Sequence, residues 1–146
     1  MDRLLRPLRR APRMAALVVF VACATIAPFS QVAYEQATSL KAESLALMSK
    51  ANEPYATHER EVQSLQLSVD KAYEYAKGRQ KNEISTRQWD LMRDSTRNLL
   101  GGFLRRWKKD GTLGHVFVTE ARSVISDAFD QIIGLESGKV KPSDVK

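Results

Sequence analysis

The feature that most constrains the fold is a stripe of mainly apolar residues that recurs at intervals of three and four between positions 54 and 77. Seven residues keep this heptad spacing: Tyr55, His58, Val62, Leu65, Val69, Ala72 and Ala76. Such a repeat gives an α-helix one face that other helices must cover. Pro54 suits the first turn of this helix, and Gly78 suits its end.

Two other stretches show the same spacing, and each predicts a helix. The stripe of the first, over 31–51, consists of Ala33, Ala37, Leu40, Ser44, Leu47 and Ala51. The stripe of the second, over 116–133, consists of Phe117, Ala121, Val124, Ile125, Ala128, Phe129 and Ile132. Gly134 is expected to end this last helix, with Leu135 packing back on its final turn.

A fourth stripe predicts a helix over residues 85–109 that opens with the capping-box pattern of residues 85–88. Its members are Trp89, Met92, Thr96, Leu99, Phe103 and Trp107. Gly101 and Gly102 lie within the stripe and cost about 2 kcal/mol of helix propensity relative to alanine. We therefore expect either a bend in this helix or the close approach of a neighbouring one.

Four helices with one apolar stripe each, joined by short loops, bury those stripes best side by side. We therefore predict an all-α fold, an antiparallel up-down four-helix bundle over residues 31–135. Residues 136–146 are mostly polar and contain Gly138 and Pro142, which predicts a flexible C-terminal tail.

Residues 1–30 have the composition of a signal peptide or signal anchor. Five arginines and one aspartate precede fourteen apolar or small residues, Met14 to Ala27. A basic block followed by a short apolar block is typical of secretory signals, and the run is short for a stable span of about 20 residues. The arginines should stay cytoplasmic while the rest of the chain crosses the membrane.

The sequence leaves three outcomes open for this leader. Ala22-Cys23-Ala24 fits a small-x-small site, with cleavage after Ala24. Phe20-Val21-Ala22-Cys23 resembles the lipobox of bacterial lipoproteins, with Phe20 where that pattern prefers leucine. The resemblance implies lipidation of Cys23. The residue after Cys23 is Ala24 and not an aspartate, and in this respect the sequence resembles lipoproteins of the outer membrane. The third outcome is an uncleaved anchor.

The charge balance argues against a nucleic-acid partner. The net charge is +6, but residues 1–22 hold five of the basic residues against one acid, and the remainder has 18 basic and 16 acidic residues. A nearly balanced domain lacks the basic surface that nucleic acids require. Cys23 is the only cysteine, so packing alone, without a disulfide, must stabilise the exported domain.

Met48, His58 and His115 are the candidate ligands for a metal ion or haem. The predicted bundle would place them at one end, and bundle cores can hold such groups between facing helices. No Cys-x-x-Cys-His, His-x-x-x-His or Glu-x-x-His pattern accompanies them. We predict no cofactor and keep, as an alternative, a small periplasmic carrier that binds a metal, haem or apolar ligand at the His58/His115 end.

No residue pattern predicts catalysis, and we expect a protein that is not an enzyme. Asp90 and Asp94 share a helical face, but Arg87, Arg93 and Arg97 interleave with them as on an ordinary solvated surface. The serines and histidines lack a nucleophile-elbow motif such as Gly-x-Ser-x-Gly.

Two groups of residues are candidate contact surfaces. The basic segment consists of Arg105, Arg106, Trp107, Lys108 and Lys109, which could rest on anionic lipid headgroups or simply complement the negative end of a helix. Leu91, Leu100 and Leu104 lie beside a predicted stripe, where they would contact a partner or widen the core. The basic segment supports a second alternative, a peripheral membrane-surface protein.

The sequence as a whole predicts an exported, lipid-anchored protein on the periplasmic side of a bacterial membrane. We expect its helical bundle to be a non-catalytic interaction or structural module. Its expected partners are the membrane, contacted through the N-terminal segment or a lipid, and another protein of the cell envelope.

Overall fold

The computed structural model describes residues 27–145, and this part of the chain contains helices and no strand. Five α-helices follow one another: α1 (Gln31–Met48), α2 (Tyr55–Gly78), α3 (Glu83–Arg93), α4 (Leu100–Asp110) and α5 (His115–Glu136). A short 3-10 helix, Pro142–Asp144, comes last. The all-α fold class is confirmed, whereas Cys23 and the rest of the leader before residue 27 lie outside the described residues.

The heptad stripe of the second helix is confirmed in full. The buried residues of α2 are Tyr55, His58, Val62, Leu65, Val69, Ala72 and Ala76. Because α2 packs against α1, α3 and α4, its stripe is covered along its whole length.

The prediction of one helix over residues 85–109 is wrong, because residues 94–99 divide it into α3 and α4. Asp94 has left the helical conformation, and its carboxylate accepts hydrogen bonds from the backbone N–H and the hydroxyl of Thr96, at 2.8 and 2.7 Å. A side chain that bonds to its own backbone in this way competes with helix formation. Thr96, assigned to the stripe, is consequently exposed.

The glycine pair lies in the first turn of α4, where the chain folds back on the segment before it. A Cβ atom at Gly101 would overlap the carbonyl group of Arg93, and one at Gly102 would overlap that of Arg97. The glycines therefore permit close approach between two backbone segments of the same connection, and a neighbouring helix is not involved.

Three predicted helix ends are corrected by the structure. The third helix begins at Glu83, ahead of the predicted capping box, and α1 ends at Met48, although Ala51 stays buried. The last helix continues past Gly134 to Glu136, because Val140 packs against Gly134 and the positive φ of 71° falls at Gly138 instead.

Val124 is a fourth correction, since it was assigned to the core and is 54% exposed. Two aromatic residues of the same helix form ring pairs with α3 and α4. Phe129 meets Trp89 edge to face at 6.0 Å between ring centroids, and Phe117 stacks on Phe103 at 5.9 Å. These pairs hold α5 to α3 and α4 in the bundle.

The helical domain has two ends with different composition. We call one the junction end, because residues 1–26 join it: it contains 28–30, 75–81 and 136–141. We call the other the far end: it contains 48–55 and 107–115. Backbone hydrogen bonds from Tyr55 to Gly111 and from Leu113 to Ala51 hold the far end together. At 1.5 Å per residue, the 18 residues of α1 separate the two ends by about 27 Å.

Candidate functional site

His58 lies at the far end between two glutamates. Its Nε2 atom is 2.7 Å from Glu53 Oε2, and its Nδ1 atom is 3.1 Å from Glu61 Oε1. Lys50 extends the chain of charges through an ion pair of 2.7 Å with Glu61. Because an ionised carboxylate only accepts hydrogen bonds, both contacts are hydrogen bonds at the same time only when the imidazole is protonated on both nitrogens and positively charged.

Local sequence and tertiary packing both contribute to this cluster. Glu61 is three residues after His58 on α2, within the reach of neighbouring side chains on a helix. Glu53 comes from the turn before α2, and its carbonyl accepts a hydrogen bond of 3.0 Å from the Trp107 indole N–H. The Trp107 ring lies 5.6 Å from the centroids of both His58 and Tyr55. The charged cluster therefore covers a buried aromatic core.

The carboxylates change the protonation equilibria of the cluster. The hydrogen bonds of Glu53 and Glu61 raise the pKa of His58 above its ordinary value of 6.5. Hydrogen bonds from Lys50 and His58 lower the pKa of Glu61 below its ordinary value of 4.5. Each shift favours the charged form of its group, the protonated imidazole of His58 and the ionised carboxylate of Glu61.

The three predicted cofactor ligands have different surroundings. Met48 is fully buried in the core, His115 is exposed at the start of α5, and both nitrogens of His58 already face carboxylates. Among residues 27–145, no group of three His, Cys, Asp or Glu side chains has the arrangement of a metal site. Of these three residues, only His58 belongs to a cluster of polar side chains, and Glu53 and Glu61 already contact both of its ring nitrogens.

The basic segment does not present its aromatic residue to a membrane, because Trp107 is fully buried. Arg106 stacks over Phe117 at 4.1 Å from the ring centroid and pairs with Asp110 at 3.3 Å. Lys108 lies 3.4 Å from Glu59, whereas Arg105 and Lys109 are exposed. The segment lies in the last turns of α4, at and directly before the far end and about one helix length from Pro28.

The predicted leucine surface lies mostly inside the protein. Leu100 and Leu104 are 1% and 2% exposed, and Leu91 is half-buried. These leucines widen the core, which was the other interpretation of their position. The exposed large apolar residues of the described chain are Phe29, Val32, Leu67, Tyr75, Val116 and Val124.

A second charged cluster, which we did not predict from the sequence, fastens the junction end. The Arg79 guanidinium donates hydrogen bonds to the Glu136 carboxylate and to the Pro28 carbonyl. The Glu136 side chain is 2% exposed, so this is an almost buried carboxylate with a partly buried partner. In the sequence, Glu136 is an acidic residue that follows the apolar residues Ile132, Ile133 and Leu135, and this position could have suggested a buried carboxylate. The sequence could not identify its partner, because Arg79 lies 57 residues away.

Comparisons of the chain with models of protein families, with curated proteins and with solved structures give no match. Functional inference therefore depends on the residues and their geometry. None of the helices described between residues 27 and 145 combines the length and apolarity needed to cross a bilayer.

Proposed function

We propose that this chain is an exported protein held at the periplasmic face of a bacterial membrane by a lipid on Cys23. We further propose that its domain is an antiparallel up-down four-helix bundle, with α3 and α4 together forming one of the four segments. In this proposal the bundle is a non-catalytic module that binds another protein of the cell envelope.

The observation that carries the proposal is the short distance along the chain between leader and domain. The apolar run ends at Ala27 and α1 begins at Gln31. Ser30 caps α1 by accepting the N–H of Ala33 at 3.2 Å, and Arg79 binds the carbonyl of Pro28. A domain that is seated directly behind a targeting segment is well suited to presentation at a membrane surface.

The surface of the domain supports an interaction role. Val116 and Val124, on α5, are 70% and 54% exposed and lie on the same side of that helix, eight residues apart. Leu100 and Leu104 are committed to the core, so this pair is the better candidate for a partner contact on a helix face. Single exposed apolar residues are ordinary, and it is their pairing on one helix that supports the assignment.

The intact mass of the mature protein from the membrane fraction tests the anchoring. We expect a chain that begins at Cys23 and carries a diacylglyceryl group, and we expect the Cys23→Ala variant to lose this modification. A full-length mass for both proteins would instead identify an uncleaved anchor. A soluble chain that begins at Thr25 in both cases would refute membrane attachment.

The carrier hypothesis receives less support, because a metal or haem iron at His58 would have to displace Glu53 or Glu61 from the ring. An absorption spectrum and metal analysis of the protein as isolated test it directly. A Soret band or a stoichiometric metal would overturn the proposal of a pure interaction module.

A further inference from the structure

We infer that the junction end rests on the lipid surface, with Phe29, Val32 and Tyr75 in contact with the membrane interface. This inference rests on the membrane anchoring proposed above and adds the orientation of the domain. It assigns lipid contact to one end of the bundle and leaves the far end, with His58 and the basic segment, directed away from the bilayer.

The length of the connection brings the junction end close to the membrane. Only residues 28–30 separate the apolar run from α1, and three extended residues span about 10 Å. With a lipid on Cys23, residues 24–28 reach at most about 17 Å before Arg79 binds the chain at Pro28. The far end lies about 27 Å farther along α1.

The junction end also has the composition of a membrane interface. Phe29, Val32 and Tyr75 account for half of the exposed large apolar residues in the described chain, with Phe29 66% exposed. A hydrogen bond of 2.9 Å between the Ser30 and Tyr75 hydroxyls places Tyr75 beside the segment that carries Phe29 and Val32. Tyr75 combines an apolar ring with a polar hydroxyl, and such side chains are favoured at the boundary between headgroups and acyl chains, while Phe29 and Val32 supply apolar surface.

Charge makes a smaller contribution at this end. Lys81, Lys139 and Lys141 are exposed and could approach anionic headgroups, against the carboxylates of Glu83 and Asp144. The Glu136 charge is already balanced by Arg79. The excess of positive charge is therefore small, and the apolar contact is the main reason to expect this orientation.

The far end lacks a comparable apolar cluster. Its aromatic residues, Tyr55 and Trp107, are buried, and Val116, at the start of α5, is a single exposed apolar residue beside it. Arg105 and Lys109 are exposed, but basic side chains without an apolar anchor bind bilayers mainly at low ionic strength.

Quenching by brominated lipid distinguishes the two ends in the intact protein. We would prepare Phe29→Trp and Val116→Trp, which add an indole at opposite ends and at similarly exposed positions. Each variant is purified from the membrane fraction, checked by intact mass for the same N-terminus as the wild type, and reconstituted in vesicles of phosphatidylethanolamine and phosphatidylglycerol with brominated acyl chains. The natural Trp89 and Trp107 are buried, and the unsubstituted protein supplies their background emission.

We expect the added emission of Phe29→Trp to be lost in brominated vesicles and that of Val116→Trp to be retained. Tyr75→Trp provides a second reporter at the junction end should Phe29→Trp alter leader processing, and it should be quenched as well. Equal emission from both ends, or quenching confined to Val116→Trp, would overturn the inferred orientation.

Flotation of the same vesicles separates this outcome from failure of the anchoring. Protein that does not float with the vesicles refutes the proposed anchoring and with it the orientation. Protein that floats while neither junction-end reporter is quenched retains the anchoring and refutes only the orientation.

Discussion

The two ends of the domain are fastened by charged clusters of different chemistry. At the junction end, Arg79 joins Pro28 to the buried carboxylate of Glu136. At the far end, His58 lies between two glutamates over the Trp107 ring. The ion pair of the junction cluster joins segments 57 residues apart, whereas the charged residues of the far cluster lie within residues 50–61 and reach a distant segment through the hydrogen bond from Trp107 to the Glu53 carbonyl. The cation of the first cluster is a guanidinium, and that of the second is an imidazolium.

This difference predicts different responses of the two ends to pH. A guanidinium keeps its charge at every physiological pH, whereas an imidazole changes its charge close to neutrality. Arg79 should therefore keep its contacts with Glu136 and Pro28 over the whole pH range near neutrality. The far end should weaken in mildly alkaline solution, because His58 loses its charge there.

The largest expected effect follows from removing the junction cation. Arg79→Ala leaves the Glu136 carboxylate buried without its partner, and breaking such a pair costs about 3–5 kcal/mol. Denaturant unfolding should show this loss in the free energy of unfolding, together with faster proteolysis near Pro28.

Two further variants check that the effect comes from the buried charge. Arg97→Ala removes a guanidinium whose pairing with Asp94 is on the surface, so its cost should be at most about 1 kcal/mol. Adding Glu136→Gln to Arg79→Ala should restore part of the lost stability, because the uncompensated charge is gone. Equal costs for both arginine substitutions would contradict a special role for the junction cluster.

A substitution that shifts α4 should change the packing of the far end more than that of the junction end. A Cβ atom at Gly101 overlaps the Arg93 carbonyl, so Gly101→Ala should cost about 1–3 kcal/mol as α4 shifts. Because α4 carries Trp107, its near-ultraviolet circular dichroism should change. Gly78→Ala is the control, since no atom lies within 4 Å of the added Cβ, and it should leave both stability and spectrum nearly unchanged.

The fold could be predicted from the sequence where a helix has a regular apolar stripe and neighbouring helices cover that stripe along its whole length. All seven stripe residues of α2 are buried, because that helix has neighbours along its whole length. The stripe of the last helix failed at Val124, where the edge of the apolar face turns to solvent. Periodicity places a residue on a helix face, but the width of the covered face depends on tertiary packing.

The break between α3 and α4 had local signals that the stripe obscured. Asp94 followed by Thr96 has the spacing of a side-chain turn, and Gly101 and Gly102 follow a few residues later. The apolar spacing continues across this segment, which favoured a single helix. Neither charged cluster could be predicted completely, because Glu53 and Glu136 meet their partners through turns and tertiary contacts that periodicity does not encode.

The pH dependence of stability should be attributable to the far end. Since the folded-state pKa of His58 is raised above 6.5, its contribution is fully present below that value and is lost as the pH rises through the folded pKa. The lowered pKa of Glu61 acts oppositely: its contribution is present above 4.5 and is lost in acid. The cluster should therefore stabilise most between these two limits.

Urea midpoints measured across this pH range for the wild type and His58→Gln test the assignment. The wild type should lose more stability than His58→Gln between mildly acidic and mildly alkaline solution, and the two curves should converge at high pH. His115→Gln is the matched control, because His115 is exposed and should leave the profile of the wild type intact. A parallel shift of both variants would exclude His58 as the source.

The smallest expected changes in the free energy of unfolding come from the basic segment, where Lys108 is paired and Lys109 is exposed. Lys108 pairs with Glu59 and lies 5.7 Å from the centroid of Tyr55, so Lys108→Ala should cost at most about 1 kcal/mol. Lys109→Ala removes an exposed cation and should stay within about 0.5 kcal/mol of the wild type.

The same two variants test the orientation of the domain on vesicles. If the far end is directed away from the bilayer, neither substitution should change vesicle association. Weaker association of Lys109→Ala at low salt, with stability unchanged, would instead assign the membrane contact to the basic segment and reverse the inferred roles of the two ends.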